Sequence, residues 1–147
     1  MVPKPTAVEF VYLQVPGVKG PVTTPGCTGC IDLESYQWGG ARATGAAFTP
    51  QQLQIVKRAD ATSPIFSKHL SAGLPFTGTT KLEVVQPGTV KPYLVFQFTN
   101  VYTTSISWST SGDAPTETIQ FVYGGLEICY TPQRGGTSNC ASWRRHK

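Results

Sequence analysis

The chain has 147 residues, enough for a single domain with a continuous core that needs neither a metal nor cross-links to hold it together. Its 15 Gly, 12 Pro, single Met and only 14% charged residues favour strands and turns over helices, so an all-β fold is expected. The net charge is +4, but four of the 12 basic residues (Arg134, Arg144, Arg145 and Lys147) lie beyond position 133, and the balanced body that remains argues against a nucleic-acid or acidic-membrane partner.

The N-terminal MVPKPTAVEFVYLQ has no apolar run of signal-peptide length, and nowhere do about 18 apolar residues follow one another as a membrane span requires. The chain is therefore expected to start in the cytosol, where Cys27, Cys30, Cys129 and Cys140 are thiols by default. Residues 7 to 15, AVEFVYLQV, are β-branched and aromatic and stop at Pro16 and Gly17, which predicts a first strand. VPGVKGPVTTPGCTGC has no hydrophobic period and reads as a surface loop ending in Cys27 and Cys30. IDLESYQWGG alternates Ile31, Leu33 and Ser35 against Asp32, Glu34 and Tyr36, predicting a second strand with one face towards a core, closed by Gly39 and Gly40.

Beyond the flexible ARATGAAFTP, Leu53 and Ile55 alternate with Gln52 and Gln54 as a third strand. The period changes in DATSPIFSKHLSAG. Ser63 suits an N-cap, Pro64 the first helical position and Gly73 a left-handed stop, which predicts one short helix over 64–72. Its stripe of Ile65, Phe66 and Leu70 must pack on a sheet, because so short a helix is not stable alone. Strands resume in TTKLEVVQ and in the long YLVFQFTNVYTTSISWST, where Leu94, Phe96 and Phe98 share a face. After the turn SGDAPTE, the last run alternates through Ile119 and Phe121, then through Leu126, Ile128 and Tyr130. Gly124 and Gly125 stand between as either a bulge or a hairpin turn. From Arg134 a polar, basic tail is expected to fray.

Catalytic apparatus is hard to assemble from these residues. Cys27 and Cys30 have the spacing of half a zinc site, but Cys129 and Cys140 have ten residues between them and lie in a strand and a tail, so no metal site is expected. A thioredoxin-like role needs a helix after the second cysteine, and a strand follows instead. The two histidines, His69 and His146, cannot form a metal pair within the domain, and no G-x-S-x-G elbow accompanies His69. Glu9, Glu34 and Glu127 offer carboxylates of no particular specificity. Trp38 and Trp108 are expected in a core or at an interface rather than as a sugar platform. The chain reads as a protein whose function is a surface, and not as an enzyme.

Certain pieces recur in a recognisable order. They are the strand ending in Trp38 and Gly39, the pair Lys57 and Arg58 followed by Asp60, Ser63 with Pro64 at the helix, the small-polar VYTTSISWSTSG, the turn with Pro115 and Glu117, and the closing YTPQ with Tyr130 and Pro132. In these pieces, over roughly residues 7 to 133, the chain resembles the Hcp family, the tube protein of type VI secretion systems. The resemblance implies a mainly β domain over residues 1–133, a two-sheet β-barrel or sandwich with one short α-helix packed on its side, followed by a basic flexible tail over 134–147. It further implies a homohexameric ring that stacks into a tube, with a contractile sheath, a spike protein and effector cargo as partners. No cofactor, nucleic acid or membrane insertion is involved; the protein is cytoplasmic before assembly and secreted through the apparatus. The family's extended loop between its second and third strands, which contacts neighbouring subunits, falls on residues 39–50. Gly39, Gly40, Ala41, Arg42, Thr44, Gly45 and Phe48 are then an assembly arm.

The cysteines of the first loop, the basic tail and the short helix are not parts of that pattern. The pairing of the four thiols stays open: with each other, across the two pairs, or between subunits. A monomeric secreted β-sandwich module binding glycan or peptide is the alternative reading.

Overall fold

A computed structural model describes residues 9–87, 89–111, 114–132 and 136–144. Residues 7 and 8 of the first predicted strand, residues 112 and 113 of the SGDAPTE turn, Gln133 of YTPQ, and Arg134, Arg145, His146 and Lys147 of the basic tail lie outside them.

The β-rich segments form strands where their alternation predicts them. β1 (Phe10–Gln14) pairs antiparallel with β2 (Ile31–Leu33) and with β7 (Pro75–Val85), setting Val11 against Leu33 and Val84, and Leu13 against Ile31 and Leu82. Those side chains point inward and are buried. The predicted second strand is interrupted at Glu34, beyond which β3 (Ser35–Gln37) pairs with β6 (Leu53–Arg58). The interruption reverses the predicted alternation. Ser35 is exposed, whereas Tyr36 turns inward and meets Phe96 edge-on at 5.8 Å. Because one segment pairs with β1 on one side of Glu34 and with β6 on the other, it closes the sheet into a barrel.

β8 (Leu94–Ser111) is the spine of that barrel. It runs antiparallel to β9 (Ala114–Val122) and then to β10 (Gly125–Tyr130), with Tyr102 opposite Val122 and Thr99 opposite Gly125. The register is the same on both sides of the break, so Gly124 and Gly125 mark a local interruption of one long strand and not a hairpin turn. Asn100 faces that break with φ 53, a left-handed conformation that asparagine tolerates better than most residues. Near here the barrel's layers exchange partners: β7 flanks β8 up to Tyr102, and β6 flanks β9 beyond it.

The helix α1 spans Ser63–Ala72, one residue earlier than predicted, with Thr62 rather than Ser63 at its N-cap and Gly73 (φ 66) as the expected left-handed stop. Asp60 Oδ1 accepts the Thr62 N–H at 2.8 Å, so the cap is supplied from outside the helix. Phe66 is fully buried between Phe76 (5.5 Å) and Phe121 (5.9 Å), a burial worth about 2–3 kcal/mol. It is the main reason the helix stays on the barrel.

The predicted frayed tail is corrected in part. Residues Asn139–Arg144 form β11, antiparallel to β10, so the barrel sheet gains a further strand beyond position 133. Cys129 and Cys140 face each other in that ladder and are disulfide-bonded, which fastens the strand, and Cys27 and Cys30 form a second disulfide. Both pairs are local, and β8 lies between β7 and β10, the strands nearest each pair, so the four sulfurs do not gather into one metal site. Among the described residues no helix is long and apolar enough to cross a membrane.

Candidate functional site

The alternation that drives β6 and β9 together also buries charge. Leu53, Ile55 and Lys57 face inward from β6 opposite Phe121, Ile119 and Glu117 of β9, so a lysine and a glutamate complete an otherwise apolar row. Both side chains are 0% exposed, and Lys57 Nζ lies 2.6 Å from Glu117 Oε1. Lys57 also donates to Asp60 Oδ1 (3.0 Å), Ser63 Oγ (3.3 Å) and the Arg58 carbonyl, while the Ser63 hydroxyl donates to Glu117 Oε1 at 2.6 Å. The two buried charges are thus paired, as burial demands, with Glu117 Oε1 hydrogen-bonded and its Oε2 left without a hydrogen-bond partner among the described residues. Burial pushes the Asp60 carboxyl up, but hydrogen bonds from Thr62 and Lys57 and the Lys57 charge outweigh it and hold the group below its ordinary range.

This cluster unites Lys57, Asp60, Ser63 and Glu117, singled out from the sequence, as one structural knot that pins α1 to β6 and β9. Arg58 points outward instead and pairs with exposed Glu34 at 3.2 Å. Pro64 opens the helix, and the Pro115 carbonyl accepts the Ala59 N–H. His69 lies at the boundary, its ring stacked on Phe76 at 3.9 Å.

The arm is a small hairpin. β4 (Gly40–Ala41) pairs with β5 (Thr49–Pro50) as a separate two-stranded sheet, and residues 40–47 between and along them are exposed. Gln51 N–H donates to Gly39 O, and Arg42 Nε donates to the Ala46 carbonyl at 2.9 Å, so the arm is ordered from within. A Cβ on Gly40 would lie 2.4 Å from the Phe48 ring, which accounts for glycine there. Thr44 and Gly45 form the exposed tip, Gly45 with φ 77.

Tyr123, absent from the sequence reading, ties the arm's root to the barrel. Its hydroxyl accepts from Trp38 Nε1 and donates to the Gln51 carbonyl at 2.6 Å. Its ring meets Phe98 at 4.8 Å and Trp143 at 6.2 Å. Thr104 Oγ1 adds a bond to Gln52 Oε1 at 2.7 Å. The signal for Tyr123 lay in its position: it continues the inward parity of Glu117, Ile119 and Phe121.

Next to the arm, β8 presents a bare edge. From Thr103 to Ser111 it pairs with β9 alone among the described strands. Trp108, one of the two tryptophans expected in a core or interface, stands 51% exposed on this segment amid serines and threonines, while Trp38 packs on the core. Tyr130 ends β10 and meets Tyr93 edge-on at 6.0 Å, and Pro132 follows two residues beyond.

A barrel of this topology with a side helix and a projecting arm has known counterparts. The sequence matches the family described as "Type VI secretion system effector, Hcp" over residues 12–130. The chain belongs to the Hcp family. No curated protein matches it by sequence. In structure it is similar to Hcp1 from Salmonella typhimurium, with TM-score 0.82 and 21% identity over 92% of this chain and 94% of that one. It is also similar to a type VI secretion system effector from Yersinia pestis, with TM-score 0.80 and 18% identity over 92% and 99%. The Hcp fold is therefore kept at low identity, and Hcp proteins are structural components of the secretion system rather than a known enzyme family. β11 lies beyond residues 12–130, over which the chain matches the family.

Proposed function

We propose that this Hcp chain is a tube subunit of a type VI-like contractile secretion apparatus, assembling as a hexameric ring that stacks into a tube and holds or carries effectors. The reading is carried by the edge of β8 from Thr103 to Ser111 that no second described strand pairs, largely exposed from Thr104 to Thr110 beside an ordered arm. A long bare edge in a soluble protein invites uncontrolled pairing, and a head-to-tail ring consumes such an edge in a closed set of contacts. The arm residues Gly39, Gly40, Ala41, Arg42, Thr44, Gly45 and Phe48 are the subunit contacts in this reading. Sheath, spike and cargo are partners by family membership. The protein is cytoplasmic before assembly and leaves through the apparatus.

Light scattering coupled to size exclusion tests it. A ring gives six times the chain mass of 15.9 kDa; a strict monomer at every concentration overturns the proposal and favours the binding module. Replacing residues 39–47 with a short linker should leave a folded protein that no longer forms rings.

A further inference from the structure

Outside the barrel wall lies a second, smaller core. Tyr12 and Val85 face outward from β1 and β7 and are covered by Cys27 and Cys30, with Val22 packed against them. The loop carrying the cysteines is folded by its own backbone. Gly20 N–H donates to Gly29 O, Gly29 N–H to Val22 O, Cys27 N–H to Thr24 O and Cys30 N–H to Cys27 O. The turn brings the sulfurs to Glu83, whose Oε1 lies 3.4 Å from Cys27 Sγ. One donor atom from each of Cys27, Cys30 and Glu83 falls within 4.8 Å of the others.

Glu83 is the unexplained member of this group. It forms no ion pair among the described residues, and burial pushes its carboxyl up, with Lys81 opposing the shift only in part. A Cys-x-x-Cys beside a carboxyl suits either thiol–disulfide exchange or a metal. Exchange needs a stabilised thiolate, supplied by a helix N-terminus or a cation. Here a strand follows Cys30, and the group touching Cys27 is an acid, which disfavours a neighbouring thiolate. A divalent ion turns the same arrangement from repulsive to attractive, because it attracts all three anionic ligands at once and offsets most of their charge.

We propose that in the reduced protein Cys27, Cys30 and Glu83 bind a thiophilic divalent cation of the zinc class, and that formation of the Cys27–Cys30 disulfide expels it. A dithiol reductant gives the pair two electrons and two protons, and is itself oxidised to a disulfide. The ion then displaces the thiol protons to solvent. In the reverse direction the two thiolates lose two electrons to a disulfide oxidant of the glutathione class, the S–S bond forms, and the ion departs. Zinc thiolates at about 2.3 Å in a tetrahedron set the sulfurs just under about 4 Å apart, a spacing the two-residue gap is suited to. A cavity of about 220 Å³ lined by Phe10, Tyr12, Cys27, Glu83 and Val90 leaves room for water as the fourth ligand. The second trio, Glu127, Cys129 and Cys140, has its cysteines directly opposed in a ladder at Cα–Cα 4.1 Å and provides an internal comparison. The inference does not depend on ring assembly.

The test is anaerobic titration of the full chain with Co²⁺, with and without a phosphine reductant, reading the thiolate-to-cobalt absorption and the ligand-field bands. One tetrahedral Co²⁺ per reduced chain is expected, and none in the oxidised chain. The band should persist in C129S/C140S, vanish in C27S/C30S, and need at least about tenfold more metal in Glu83→Gln. A reduced chain without the band, or a band surviving C27S/C30S, overturns the proposal. Should C27S/C30S fail to fold, reduced C129S/C140S decides alone: Zn²⁺ must protect Cys27 and Cys30 from alkylation in a mass measurement, and equal alkylation with and without Zn²⁺ overturns the site.

Discussion

Trp143 of the last strand meets Phe48 of the arm edge-on, their ring centroids 5.8 Å apart. Since Trp143 also meets Tyr123, the C-terminal strand couples the arm to the barrel core. Trp143→Ala removes two aromatic pairs, each worth about 0.5–1.5 kcal/mol beyond area. We expect a loss of about 1–2 kcal/mol in urea denaturation and faster hydrogen exchange at the Gln51 amide, which closes the arm's root. Unchanged protection at Gln51 would mean that the arm is held by its own hydrogen bonds alone.

The strand that carries Trp143 is itself fastened by Cys129–Cys140, a pair 11 residues apart in sequence. Closing a loop of that size restricts the unfolded chain by about 3 kcal/mol. Replacing both cysteines by serine should cost about that much and raise exchange across Asn139–Arg144, leaving β6 and β9 protected. Exchange confined to its original pattern would show that the β10 ladder suffices to dock the strand.

Lys57 and Glu117 are both fully buried, and Lys57 is the charge partner of Glu117 and of Asp60. Lys57→Met leaves Glu117 unpaired and should cost about 3–5 kcal/mol. The double variant Lys57→Met, Glu117→Leu should recover the share of that loss that comes from the stranded Glu117, because an apolar pair replaces an ion pair at little net cost, leaving the share of Asp60, which loses Lys57 in both variants. Additive losses in a double-mutant cycle would contradict the coupling.

Asp60 and Glu83 bend the pH profile in opposite senses. Asp60 is held low in the fold, so its stabilisation is present above the ordinary aspartate value of about 3.9 and is lost as pH falls through the folded value. Glu83 is pushed up, chiefly by burial, so the fold favours its protonated form and that advantage is lost as pH rises through the raised value. In the oxidised protein Glu83→Gln should therefore be more stable than the parent at pH 7 and nearly equal at pH 4, as read by denaturant midpoints. A midpoint difference that is the same at both pH values would refute this.

Much of the barrel was legible from period-two patterning, because strands with one face in a core must alternate. The exceptions have local causes. The expected face of Tyr36 was wrong because Glu34 interrupts its strand, and no side-chain pattern announces a change of partner. Lys57 and Glu117 carry the parity of the buried residues beside them, but a charged residue at an inward position reads as an end of the strand until its partner is seen. Ser63 has the chemistry of an N-cap, yet its hydroxyl is drawn to Glu117 and Thr62 takes the cap position. The tail read as polar because β11 is exposed along nearly all its length; its place is set by backbone pairing and a disulfide, which composition does not encode. The arm's location came from the family resemblance; parity places Tyr123 inward, but its bond to the arm's root is seen only in three dimensions.

The continuous hairpin of β8 with β9 and β10 has a mechanical corollary. At about 3.3 Å per residue β8 is roughly 60 Å long, and it is a wall of the barrel on both sides of the Asn100 break. The two halves therefore have no seam at which they can be peeled apart one hydrogen bond at a time. A force separating them loads β8 along its length, where many ladder bonds resist together.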